Sequence, residues 1–114
     1  MTESGPRRKL AAILAADVVN FSRMMGENED RTLRNLKICR TITDRAIQSN
    51  HGRVFGGAGD SIIAEFGSPV DALLAATGFQ QDLESRNQTV PLEDQMVFRV
   101  GLNLGDVIIE GDNL

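Results

Sequence analysis

The chain has 114 residues, of which 41% are hydrophobic and 25% charged, so it can own the core of one domain and does not read as a disordered segment. Sixteen acidic against twelve basic side chains give a net charge of −4, the wrong sign for a nucleic-acid-coating protein. One cysteine, Cys39, excludes an internal disulfide and a Cys-rich zinc site, and one histidine, His51, argues against a His-based zinc enzyme.

Residues 1–8 are polar and read as a flexible N-terminal arm, with residues 9–114 forming the domain. The run Leu10 to Val19 is interrupted by Asp17 and falls short of the roughly 20 residues a membrane span needs. It has no small-residue cleavage site in a polar region, so a cytoplasmic setting without a membrane segment is expected. Alanine in Lys9 to Ala16 favours helix, but the run is short and ends in the polar stretch Asp17 to Ser22, so it is predicted as a central strand.

From Glu27 to Gln48 the pattern is helical. Leu33, Leu36, Cys39, Ile42 and Ala46 recur at spacings of three and four, which predicts that they share the core face. Asn50-His51-Gly52 is a helix stop, since Asn and Gly tolerate the left-handed conformation. Residues 53–66 read as a hairpin whose turn is Gly56-Gly57-Ala58-Gly59-Asp60.

Ser68-Pro69-Val70-Asp71 opens a second long helix, with Ser68 as cap and Pro69 in the first turn. Ala72, Ala76, Phe79 and Leu83 form its apolar stripe, widened by Val70, Leu73, Leu74 and Thr77. Residues 85–95 are polar, contain Pro91 and are predicted as a loop. Met96, Phe98, Val100, Leu102 and Leu104 alternate with the residues between them, the clearest strand pattern in the chain. Gly105-Asp106 is expected to bend it before another strand begins at Val107, and Asp106 and Asp112 are expected in turns. The order β-α-β-β-α-β is the α+β, ferredoxin-like arrangement: an antiparallel sheet with two helices on one face, plus a further C-terminal strand.

In that topology the end of the first strand and the tip of the hairpin can sit together. Asp17 and Asp60 would then converge, and paired hard oxygen ligands suit Mg²⁺ or Mn²⁺. Asn20, Phe21 and Ser22 would follow at a helix start, where free backbone N–H groups can hold phosphate. The alternatives are structural: aspartates commonly finish turns, and Gly56, Gly57 and Gly59 can simply permit positive φ. His51 reads as a helix-end residue and Cys39 as core. Composition and spacing leave a plausible metal pair and little more.

The stretch from Ala12 through Asp17, Phe21 and Ser22 to Glu27 resembles the opening of class III nucleotidyl cyclase catalytic domains, especially bacterial ones. Gly59-Asp60, Phe66 and Phe98 to Val107 continue the resemblance in order, over about Arg8 to Leu114. It implies a cyclase fold and the conversion of a nucleoside triphosphate, ATP ahead of GTP, to a 3′,5′-cyclic nucleotide and pyrophosphate. It also implies two Mg²⁺ or Mn²⁺ ions on Asp17, Asp60 and the carbonyl of Val18. Nucleotide would be held around Val18, Asn20, Phe21, Ser22 and Gly59, in a head-to-tail homodimer. Three departures accompany it. Gly56 stands where adenylyl cyclases usually carry a base-reading lysine, Asn20 stands where a glycine is common, and the asparagine and arginine that stabilise the transition state are expected beyond Leu114. A catalytically degenerate cyclase-like module for dimerisation or nucleotide sensing therefore stands as the alternative. A ferredoxin-like interaction domain with no nucleotide role is the third reading.

Overall fold

The computed structural model describes residues 7–109, with side chains described from Leu10 to Gly105. The elements are β1 (Arg7–Val18), α1 (Phe21–Glu27), α2 (Glu29–Ser49), β2 (Arg53–Gly56), β3 (Ile62–Phe66), α3 (Pro69–Asn87), a single 3₁₀ turn (Leu92–Asp94) and β4 (Phe98–Ile109). They form one four-stranded sheet in the order β2-β3-β1-β4, with every neighbouring pair antiparallel. This is the expected α+β, ferredoxin-like arrangement.

Period-two alternation places Ala12, Leu14, Ala16 and Val18 of β1 on one face. Their partners Phe66, Ala64 and Ile62 on β3 join them there, and all are buried. Helices α2 and α3 pack on each other, and α3 lies against β1, β3 and β4. Alanines occur on both sides of this contact, at 12 and 16 in β1 and at 72, 75 and 76 in α3. Side chains that small let the helix approach the sheet closely, which explains why an alanine-rich segment serves as a central strand. Ser68 caps α3, its Oγ accepting from Val70 N–H at 3.1 Å, and Pro69 stands in the first turn. Among the described residues no helix is long and apolar enough to cross a membrane.

Several expectations are corrected. β1 opens at Arg7, two residues inside the anticipated arm, and residues 1–6 lie outside the described residues. The helix anticipated from Glu27 to Gln48 is α2, which begins at Glu29 because Asn28 ends the short α1 and then caps α2, its side chain accepting from Arg31 N–H at 3.0 Å. The buried side of α2 is Thr32, Asn35, Leu36, Cys39, Thr43 and Ile47, whereas Leu33 is 44% exposed. Polar residues occupy that side because their bonds are met there: Thr32 Oγ1 donates to the Met24 carbonyl at 2.9 Å.

On α3 the extra apolar width stays exposed at Val70, Leu73 and Leu74, and the helix runs on to Asn87 rather than stopping before residue 85. β4 does not bend at Gly105-Asp106. Gly105 pairs with Ala11 and Asp106 with Leu10 in an unbroken ladder to Ile109, so residues 107–109 extend β4 instead of starting a new strand. Asp112 lies outside the described residues. Cys39 is buried, and His51 follows α2 with a left-handed φ of 65°, as expected of a core thiol and a helix-end residue.

Candidate functional site

β1 ends at Val18, and the next residues turn sharply. Val19 N–H donates to the Val97 carbonyl at 2.8 Å, a last rung beyond the β1–β4 ladder. Asn20 then takes a left-handed φ of 61°, which asparagine tolerates better than most side chains, and α1 begins at Phe21. The Asn20 side chain makes no cap. Its carbonyl accepts from Met24 N–H, so the N–H groups of Phe21, Ser22 and Arg23 precede the first intrahelical bond.

The hairpin delivers the second carboxylate. Gly57 and Gly59 both have positive φ, 114° and 61°, and the turn closes with Ser61 N–H donating to the Ala58 carbonyl at 3.0 Å. Asp60 lies within this turn, and its Oδ2 accepts from Val18 N–H at 2.8 Å, across 42 residues of sequence. One direct bond thus ties the hairpin tip to the end of β1.

Asp17 is held differently. It lies opposite Arg99 in the β1–β4 register, and its Oδ1 accepts from Arg99 Nε at 2.9 Å. The Arg99 guanidinium is held above its ordinary pKa, first by the hydrogen bond to Asp17, then by that carboxylate's charge, and more weakly by the charge of Asp60. Both acids therefore act on one cation.

A polar cavity of about 510 Å³ lies between these elements. It is lined by Asp17, Val18, Asn20, Phe21, Ser22 and Asp60, together with Arg23, Ser61 and Arg99. Gly59 alone among the residues singled out from the sequence is not on its wall; its left-handed backbone shapes the turn that presents Asp60. Arg99 is the main residue that sequence reading missed. The signal was available, because Arg99 alternates with Phe98 and Val100 and so faces away from the helices, on the same side as Asp17. A second cavity of about 410 Å³ on that open sheet face adjoins the first, sharing Asp17, Ser61 and Arg99 and floored by Ala15 and Gly101.

The donor set suits a hard divalent cation. Asp17 and Asp60 offer carboxylate oxygens, and Val18, on the same cavity wall, has only its main chain to offer. Among the described residues no group of three or more His, Cys, Asp or Glu side chains could hold a metal alone. That matches Mg²⁺, which usually binds through one or two carboxylates and completes its shell with water and substrate phosphates. The guanidinium on Asp17 shows that this position accepts a positive partner.

No family model matches the chain. It is 39% identical over 116 aligned positions to "Putative adenylate cyclase 3" of Rhizobium meliloti (strain 1021), an alignment covering all of this chain and 20% of that protein. It is 26% identical over 103 positions to the serine/threonine-protein kinase pkn2 of Myxococcus xanthus, covering 90% of this chain and 12% of the kinase. Among solved structures, the adenylate/guanylate cyclase/hydrolase from Silicibacter pomeroyi superposes with a TM-score of 0.81 at 35% identity, over 92% of this chain and 62% of that one. The chain thus spans about one fifth of the curated cyclase relative.

Proposed function

We propose that this chain, which has the sequence and fold of a class III adenylate/guanylate cyclase catalytic domain, supplies the cation-binding half of a site that makes a 3′,5′-cyclic nucleotide and pyrophosphate from a nucleoside triphosphate. The observation that carries this reading is the single cavity shared by Asp17, Asp60, the start of α1 and Arg99. Asp17, Asp60 and the Val18 carbonyl would hold two Mg²⁺ or Mn²⁺ ions. When bound, such ions lower the pKa of the ribose 3′-hydroxyl and neutralise charge on the departing pyrophosphate.

The chain's own residues then do three things. Val18 N–H fixes the direction of the Asp60 carboxylate before any ligand arrives. Asn20, Phe21 and Ser22 at the start of α1 lie on the wall of the cavity that a triphosphate would enter, where main-chain N–H groups not used within the helix would receive phosphate oxygens. Arg99, on the same cavity wall and hydrogen-bonded to Asp17, would offer its charge to the phosphates. The ribose 3′-oxygen attacks the α-phosphorus, and the bond from that phosphorus to the pyrophosphate oxygen breaks. Catalysis of this kind rests on positioning and charge stabilisation rather than on a protein nucleophile.

ATP is the favoured substrate, in line with the name of the curated relative. Gly56 has no side chain to read the base, so base choice rests on residues outside this stretch. A head-to-tail homodimer would complete the site. The decisive assay is Mn²⁺-dependent cyclic nucleotide formation by the full-length protein. Activity lost in Asp17→Asn supports the reading; an active Asp17→Asn protein overturns it.

A second reading is supported by Gly56, which offers no side chain to read the base. In it the domain binds Mn²⁺–nucleotide and dimerises without turnover. Tight ATP binding by calorimetry with no product from the full-length protein would favour it.

A further inference from the structure

The segment from Gln88 to Val97 joins α3 to β4 and has no strand partner, yet it is among the most heavily bonded parts of the molecule. The Asp94 carboxylate receives Arg31 through two nitrogens, Nε and Nη2, and Asn35 Nδ2 at 2.8 Å. Arg86 donates to the Asp94 carbonyl at 2.9 Å and to Asn35 Oδ1 at 2.6 Å. Asn87 bonds Met96 in both directions, Nδ2 to its carbonyl at 2.9 Å and Oδ1 from its N–H at 3.2 Å. The Arg31 and Asn35 hydrogen bonds hold the Asp94 carboxyl well below the usual carboxylate range.

These bonds fix Met96 and therefore Val97, whose carbonyl receives Val19 N–H. The Val19 nitrogen belongs to the same peptide unit as the Val18 carbonyl. The described residues contain no cis peptide, so that unit is planar and trans, and its N–H and C=O point in opposite directions. Holding Val19 N–H toward β4 therefore aims the Val18 carbonyl the other way, toward the hairpin. Val18 N–H already donates to Asp60 on that side, and the β1–β3 pairing stops short at Ala16↔Ile62. The Val18 carbonyl thus lies beyond the last β3 pair, next to Asp60.

We infer that the Asp94–Arg86–Asn87 network is a positioning device: it locks Val97, Val97 orients the Val18–Val19 peptide, and that peptide aims a main-chain oxygen at the cation site. The inference rests on the cation-binding reading of Asp17 and Asp60. Asp94 touches none of the reacting groups and acts only through the backbone.

The test uses Mn²⁺ alone as probe, with binding followed by electron paramagnetic resonance and Val19 amide exchange by NMR. Loss of an outer partner of a metal ligand typically weakens binding by about 10–100-fold, so Asp94→Ala is expected to weaken Mn²⁺ at least about tenfold. Val19 amide exchange should speed up in parallel. Asp94→Asn, which keeps the shape and one acceptor, should fall between Asp94→Ala and wild type, and it serves as the test if Asp94→Ala does not fold. Ile47→Val loosens the core away from the loop and should leave Mn²⁺ affinity and Val19 exchange unchanged.

Asp17→Asn separates the two ideas. If it binds Mn²⁺ as wild type does, the cation reading fails and the positioning inference falls with it. If it loses Mn²⁺ while the Asp94 variants keep wild-type affinity, the cation reading stands and the positioning inference is overturned.

Discussion

The two carboxylates of the candidate site reach it by contrasting means. Asp60 sits at a turn made possible by two left-handed glycines, and its partner is a fixed main-chain N–H at 2.8 Å. Asp17 ends a central strand, and its partner is the Arg99 side chain, which is 70% exposed. One acid is aimed by the backbone; the other is balanced by a charge that can swing away. In the proposed reading, a cation arriving here would meet an oriented carboxylate at Asp60 and would have to displace a guanidinium at Asp17. The contrast implies that backbone geometry controls the hairpin side, while electrostatic competition controls the strand side.

The largest expected effect strikes both sides equally. In the full-length protein Asp17→Asn and Asp60→Asn should each lower cyclic nucleotide formation by at least about 100-fold, the usual scale for removing a preorganised charge-stabilising group. Product quantified by chromatography checks this. A variant that loses only a few-fold would break the symmetry.

The next test acts on the hairpin alone. Gly59→Ala forces a Cβ onto a φ of 61° and should cost about 1–2 kcal/mol in denaturant unfolding, with weaker Mn²⁺ binding as Asp60 is re-aimed. Unchanged stability would show that the turn is not set by that glycine. On the strand side, Arg99→Met removes the competitor. The pair is exposed and screened by solvent, so stability should scarcely move and Mn²⁺ alone should bind up to about fivefold tighter. Nucleotide should bind more weakly in the same variant, because the charge destined for phosphate is gone. Asn20→Gly should do least, changing stability by no more than about 1 kcal/mol, since asparagine already tolerates the left-handed position.

Local chemistry made some of this readable in the sequence. The Ser68-Pro69 start of α3 and the glycine turn of the hairpin follow from residues that act on their immediate neighbours. The core stripe of α2 does not, because Asn35 is buried by virtue of partners far along the chain, Asp94 and Arg86. Arg99 escaped notice for a similar reason: its role follows from standing opposite Asp17, and register is a tertiary property. The start of α2 lies two residues beyond the expected Glu27 because Asn28 both ends the helix before it and caps the next. The expected bend at Gly105 failed because glycine permits a turn without requiring one, and pairing with Ala11 keeps it extended.

The most direct measurement is a double-mutant cycle on Mn²⁺ affinity, using Asp17→Asn, Asp60→Asn and the double variant. Shared coordination predicts strong coupling: each single change should lose nearly as much affinity as both together. Losses that simply add, or a wild-type chain that holds Mn²⁺ no better than the double variant, would contradict a joint cation site.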